Sequence, residues 1–191
     1  MSQNIWECVN RQKIYDQFDI DSRNVLDWHL ITLFGYYTPE IYSIMQQVQR
    51  LVLQNRYFLG LVGDYGSLEV PDPKGGSRRE TLDEKSLRYL RASELAIFLL
   101  LLDKKGLKPS SGPTIEVMDV LRNNLTSKCV FLFEGDIDTH FDTKFIQGHP
   151  EYKFVLLKID EVRSDDIEGI SKIIIGKCEA LYFHDWKYPA Q

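Results

Sequence analysis

Short apolar, β-branched runs alternate along this chain with stretches whose apolar residues recur at helical intervals. That alternation predicts a parallel sheet covered by helices on both faces. The strands are predicted at Trp28–Phe34, Tyr57–Val62, Glu94–Leu102, Lys128–Phe133 and Tyr152–Ile159. Glu94–Leu102 is apolar almost throughout, as a central strand buried on both faces requires. Thr38-Pro39 opens the first crossover helix, with Thr as cap and Pro at the first helical position. Ile41, Ile44, Met45, Val48, Leu51 and Val52 form its apolar stripe.

Thr81-Leu82-Asp83-Glu84 is a capping box that opens a second helix running to about Ala92. Pro113 starts a third, with Ile115, Met118, Leu121 and Leu125 on one side. Ser164-Asp165-Asp166 starts the last, which turns Ile167, Ile170, Ile174, Cys178 and Leu181 inward. Before the first strand, Ile5, Cys8, Val9, Tyr15 and Phe18 mark an N-terminal helical extension over 1–24. Gly63 to Glu80, with four glycines and two prolines, reads as a long irregular loop. Ile137–Pro150 fits neither helix nor strand clearly. The predicted fold is therefore α/β: a doubly wound, five-stranded parallel sheet of flavodoxin-like or Rossmann-like three-layer form over 25–191, preceded by the N-terminal helix.

Length and composition narrow the function. The 191 residues make one domain, and 23 basic against 28 acidic residues give a formal charge of -5. An acidic chain lacks the basic face that duplex nucleic acid demands. No apolar run is long enough to span a bilayer and no signal peptide is visible, so a cytosolic protein without a membrane role is expected. The 3 cysteines lack metal spacing and read as small buried residues in a reducing compartment. The 4 histidines form no i, i+4 pair, and no metal or cofactor is expected. Asp19-Ile20-Asp21 starts like a calcium loop but lacks its glycine and bidentate Glu. Glu134-Gly135-Asp136-Ile137-Asp138, with His140 and His149, reads as a solvated acidic loop in preference to a metal site. Tyr182, Phe183, Trp186 and Tyr188 would pack on the sheet edge or on a partner subunit, which leaves a homodimer open.

In doubly wound sheets the ligand lies beyond the carboxyl ends of the strands. That rule gathers Gly35-Tyr36-Tyr37, Gly63-Asp64, Asp103 and Gly112–Glu116 on one rim. Glu116 falls in the first turn of a helix, where unpaired amides favour its ionised, nucleophilic form. Asp103 closes the central strand. Tyr36 and Tyr37 would hydrogen-bond Glu116 or stack on a base, Asp64 would take a ribose hydroxyl, and Arg78 and Arg79 would close over a phosphate. Each also has a plain reading as a turn, packing or solvated residue.

Leu99-Leu100-Leu101-Leu102-Asp103, followed after a loop by Gly112-Pro113-Thr114-Ile115-Glu116, resembles the nucleoside 2-deoxyribosyltransferase family. Phe34-Gly35-Tyr36-Tyr37 is similar to that family's first loop. Ser110 ahead of Glu116 resembles the layout of NAD-cleaving TIR domains. The resemblance implies an N-glycosidic chemistry on a nucleoside, a nucleotide or NAD. In it Glu116 is the nucleophile, Asp103 positions the sugar or base, and Tyr36 positions Glu116. Pro113 and Met118 depart from the family pattern, where Thr and Gly are usual. A non-catalytic nucleotide-sensing or protein-interaction module on the same fold is the alternative.

Overall fold

The computed structural model describes residues 9–107, 109, 113–140 and 160–183. Four parallel strands form the body of the sheet: β1 (Ile31–Gly35), β2 (Gly60–Leu61), β5 (Leu95–Leu100) and β6 (Cys129–Phe133), in the order β2-β1-β5-β6. Beyond β6, Asp160–Glu161 (β7) adds a two-residue parallel pairing, Leu132 to Asp160 and Phe133 to Glu161. The predicted strand Tyr152–Ile159 lies outside the described residues. This α/β arrangement is compatible with a Rossmann-like fold.

Register and packing explain why the centre of the sheet is so apolar. Phe34 lies opposite Phe98, and Phe98 opposite Phe131, across three neighbouring strands. Their rings stack with centroids 5.1 and 4.9 Å apart. Helix α2 (Pro39–Gln54) packs against the last helix, α6 (Ile167–Phe183), while α3 (Leu82–Ala92) packs against α4 (Thr114–Arg122). The α2 stripe docks so closely that a side chain on Gly35 would meet Leu99 O at 2.7 Å and Met45 Sδ at 2.9 Å. Gly35 is thus a packing residue between strand and helix.

Helix starts follow their sequence signals. Thr38 caps α2, accepting from Ile41 N–H at 3.4 Å. Thr81 and Glu84 cap α3 reciprocally, through Glu84 N to Thr81 Oγ1 at 3.2 Å and Thr81 N to Glu84 Oε2 at 2.7 Å. The strands are shorter than predicted. β1 begins only at Ile31, because Trp28 faces solvent and His29 Nδ1 turns to Glu94 Oε2 at 2.6 Å. In α4 the buried apolar residues are Val117, Val120 and Leu121, whereas Ile115 is 46% exposed. Leu125 falls beyond the helix, in a 3-10 turn that follows left-handed Asn124.

The stretch Gly63–Glu80 is not a featureless loop. β3 (Glu69–Pro71) and β4 (Ser77–Arg79) pair antiparallel across a turn in which Asp72 Oδ1 accepts from Lys74 N–H at 2.8 Å. Gly75 and Gly76 supply positive φ of 98° and 86°, conformations that side chains resist. The described part of the N-terminal segment forms helix α1 (Arg11–Gln17) and a short turn at Ser22–Asn24. Ile14 and Tyr15 enter one apolar cluster with Leu53, Phe58, Tyr65 and Tyr89 of the body. Ile5 and Cys8 lie outside the described residues. Cys178 is buried and Cys129 half-buried; both are free thiols whose pKa burial raises to about 12. No described helix is long and apolar enough to cross a membrane.

Candidate functional site

Connections from β1 and β5 leave towards opposite edges of the sheet, so their carboxyl ends form the switch point. Tyr36 and Tyr37 follow β1, the Val62–Asp64 turn follows β2, and the first turn of α4 carries Glu116 on the chain that leaves β5. The N-terminal turns of α3 reach the same rim.

Glu116 is 9% exposed, and its Oε1 accepts from the Ser86 hydroxyl of α3. Burial raises the carboxyl pKa; the Ser86 hydroxyl and Glu116's own main-chain amide oppose that, while the charge of Asp83 adds to it. Tyr37 keeps 42% of its surface exposed, but its hydroxyl is desolvated. Burial first, then the charges of Glu116 and Tyr42, raise the Tyr37 pKa, and the Val62 main chain lowers it. Tyr37 and Tyr42 rings lie 6.0 Å apart, forming an aromatic wall beside the carboxylate.

Asp64 Oδ2 accepts from Gln49 Nε2 at 2.7 Å and from Leu61 N–H at 2.9 Å. Those two donors fix the carboxylate at the end of β2 while its charge reaches Tyr37 and Lys85. Lys85, one residue before Ser86, is 6% exposed, and burial lowers its pKa. Ser86 and Glu116 are joined directly, and the charges of both Glu116 and Asp64 act on Tyr37.

Other predicted site residues have different surroundings. Asp103 Oδ1 accepts from Lys105 N–H and Leu107 N–H, both at 2.8 Å, so its carboxylate organises its own turn. The Tyr36 hydroxyl bonds His140 Nδ1 at 3.1 Å, and His140 Nε2 donates to Glu134 O at 2.7 Å. Arg78 spends its fork on Glu84 at 2.6 and 2.7 Å, and Arg79 is exposed on β4. Gly112 and Ser110 lie outside the described residues, as does His149.

Glu134, read as part of an acidic loop, is a structural tie. It accepts from Leu102 N–H at 2.9 Å and from Ser164 N–H and Oγ at 2.8 and 2.7 Å. Among the described residues, no group of three or more His, Cys, Asp and Glu is placed to hold a metal. Sequence reasoning missed Ser86 and Lys85. α3 buries Lys85, Ser86, Tyr89 and Leu90 while Leu82 is 78% exposed, so two polar residues occupy the amino end of an inward stripe, a placement that only tertiary packing decides.

No family model, curated protein or solved structure matches the chain at a significant level. The likeness to nucleoside 2-deoxyribosyltransferases and TIR domains therefore stands on the residues of this chain alone.

Proposed function

We propose that the rim binds a nucleoside, a nucleotide or NAD, and that Glu116 cleaves or transfers its N-glycosidic bond. The observation that carries this reading is a buried carboxyl at the switch point, oriented by Ser86 and flanked by the Tyr37–Tyr42 wall. Deprotonated, Glu116 attacks the anomeric carbon; the carbon–nitrogen bond breaks with its electron pair leaving on the base. Water or a second base then displaces the carboxylate and restores it. A poorly hydrated carboxylate is the stronger nucleophile once it has lost its proton. The reaction is assigned to the cytosol.

Asp103 is given no role in this scheme, since its Oδ1 holds its own turn through two main-chain amides and no described contact joins it to Glu116. Without that second acid, the substrates favoured are those whose base departs without taking a proton, as the cationic nicotinamide of NAD does. Free base released from NAD and from a panel of nucleosides and nucleotides tests the proposal. Wild type and Asp103→Asn should release base at similar rates, because Asn still accepts from both amides. Glu116→Gln should lose at least about a hundredfold, the scale expected when a nucleophile is removed. Equal product from Glu116→Gln would remove this residue from the chemistry.

The engagement of Asp103 also favours a second reading: a module that binds nucleotides without turning them over. Pro113 and Met118, both departures from the transferase pattern, agree with it. Thermal stabilisation by nucleotides with no base released over hours would select that reading.

A further inference from the structure

Leu82 breaks the rule that its own helix sets. Leu82, Lys85, Ser86 and Tyr89 follow one another at i, i+3, i+4 and i+7, the spacing of a single helix face. Lys85, Ser86 and Tyr89 are buried, so this face points inward. Leu82, on the same face, is 78% exposed and joins neither apolar cluster of the described residues. An inward face whose first residue is uncovered overhangs the end of the sheet it packs on. Single exposed leucines on outward faces are common and call for no explanation. This one is turned over the rim.

The overhang is held in place. Thr81 and Glu84 cap each other across the first turn of α3, and the Arg78 fork grips the Glu84 carboxylate at 2.6 and 2.7 Å. Leu82 lies inside that brace, between the cap and Glu84. It is not the apolar staple that often accompanies such a cap, because the two staple positions are Glu80 and Lys85.

One turn further in stands the candidate nucleophile. The Ser86 hydroxyl donates to Glu116 Oε1, so Glu116 meets α3 four residues after Leu82. Side chains at that spacing are neighbours, and one turn rises about 5.4 Å. Helical side chains also lean towards the amino end, which carries Leu82 further out over the rim. An attacking carboxylate pushes the base off the opposite side of the anomeric carbon. Opposite a buried carboxyl lies the open rim, and a planar base spans about one helical turn.

We propose that Leu82 is the platform on which the base of the ligand lies while its sugar is held at Glu116, so that this residue sets affinity for the leaving group. This rests on the glycosidic reading of the same rim. The leucine gives apolar contact to one face of a planar ring and offers no hydrogen bond. It therefore selects for a planar base as such and not for one base over another.

Calorimetric titration of wild type, Leu82→Ala and Leu82→Phe with adenosine, AMP and NAD, and with ribose 5-phosphate as a base-free probe, tests the assignment. Leu82→Ala should weaken the base-bearing ligands about tenfold, the scale of losing one leucine's apolar contact, and leave ribose 5-phosphate unchanged. Leu82→Phe should bind the base-bearing ligands at least as well as wild type. Leu82→Ala should melt within about 2 °C of wild type, as an exposed substitution does, so misfolding does not imitate the loss. Where ribose 5-phosphate binds too weakly to measure, Leu82→Phe decides, and a loss as large as that of Leu82→Ala would overturn the platform. Equal affinity of wild type and Leu82→Ala for every base-bearing ligand, or an equal loss for ribose 5-phosphate, would overturn the platform and leave the glycosidic reading intact. Leu82-dependent binding with no base released from any ligand would support the platform and reject the glycosidic reading. Binding of none of the base-bearing ligands to wild type would overturn both.

Discussion

In the proposed reaction Glu116 couples chemistry to stability through its proton. Burial raises its pKa above the ordinary 4.5, so the folded chain holds this proton more tightly than the unfolded chain does. The sign follows directly. The stabilising contribution is complete below pH 4.5 and is lost as pH climbs through the raised native value. At neutral pH the buried carboxylate is a burden, as functional groups often are. Glu116→Gln keeps an acceptor for Ser86 and removes the charge. The melting temperature of the variant should therefore gain on that of wild type as pH rises from 4.5 through the raised native value. A difference that stays flat with pH would mean that Glu116 is not desolvated. The Tyr36 hydroxyl plays no part in this, being satisfied by His140.

At the scale of elements, the β3–β4 hairpin is fastened to α3 by Arg88 and Glu80. Arg88 Nε donates to Glu80 Oε2 at 3.0 Å, its Nη2 reaches Gly66 O at 3.1 Å, and its guanidinium lies 4.4 Å from the Tyr89 ring centroid. The Glu80 side chain is almost wholly buried. Arg88→Met strands that carboxylate and should cost about 3 kcal/mol, as removing one partner of a buried pair does. On a chain of this size that lowers the melting temperature by roughly 6–12 °C. A loss under a degree in thermal denaturation would show the hairpin to be independent of α3.

The elements were legible where one local signal decides the outcome. The Thr81–Glu84 box and the Thr38-Pro39 start need only neighbouring residues, and the apolar run of β5 permits only a doubly buried strand. The hairpin was not legible, because β3 and β4 are three residues each and are half polar on both sides. The face of α4 was misjudged for a related reason. Periodicity counted Ile115 and Met118 as inward, but the helix turns Glu116 and Asp119 towards its neighbours, where Ser86 and Arg91 meet them. Polar residues that pair across helices carry no mark in one sequence.

Over the whole molecule, the parallel order β2-β1-β5-β6 assembles residues from chain positions 37 to 116 along one edge. The sequence rule for ligand position identified Glu116, Tyr37 and Asp64 on that rim. It did not reveal that Asp103 Oδ1 would hold its own turn, because a turn-forming and a sugar-binding aspartate look alike before tertiary contacts exist. The proposed reaction rests on one carboxyl, Glu116, which the Ser86 hydroxyl of α3 meets. The most direct test is to trap its product. Incubation with 2′-fluorinated analogues of NAD and of the nucleosides and nucleotides that release base, which slow loss of the sugar from the enzyme, should add one glycosyl group to the peptide containing Glu116, together with one equivalent of free base. Mass spectrometry reads both. An adduct on another residue, or base release from the unfluorinated substrate undiminished in Glu116→Gln, would contradict the assignment.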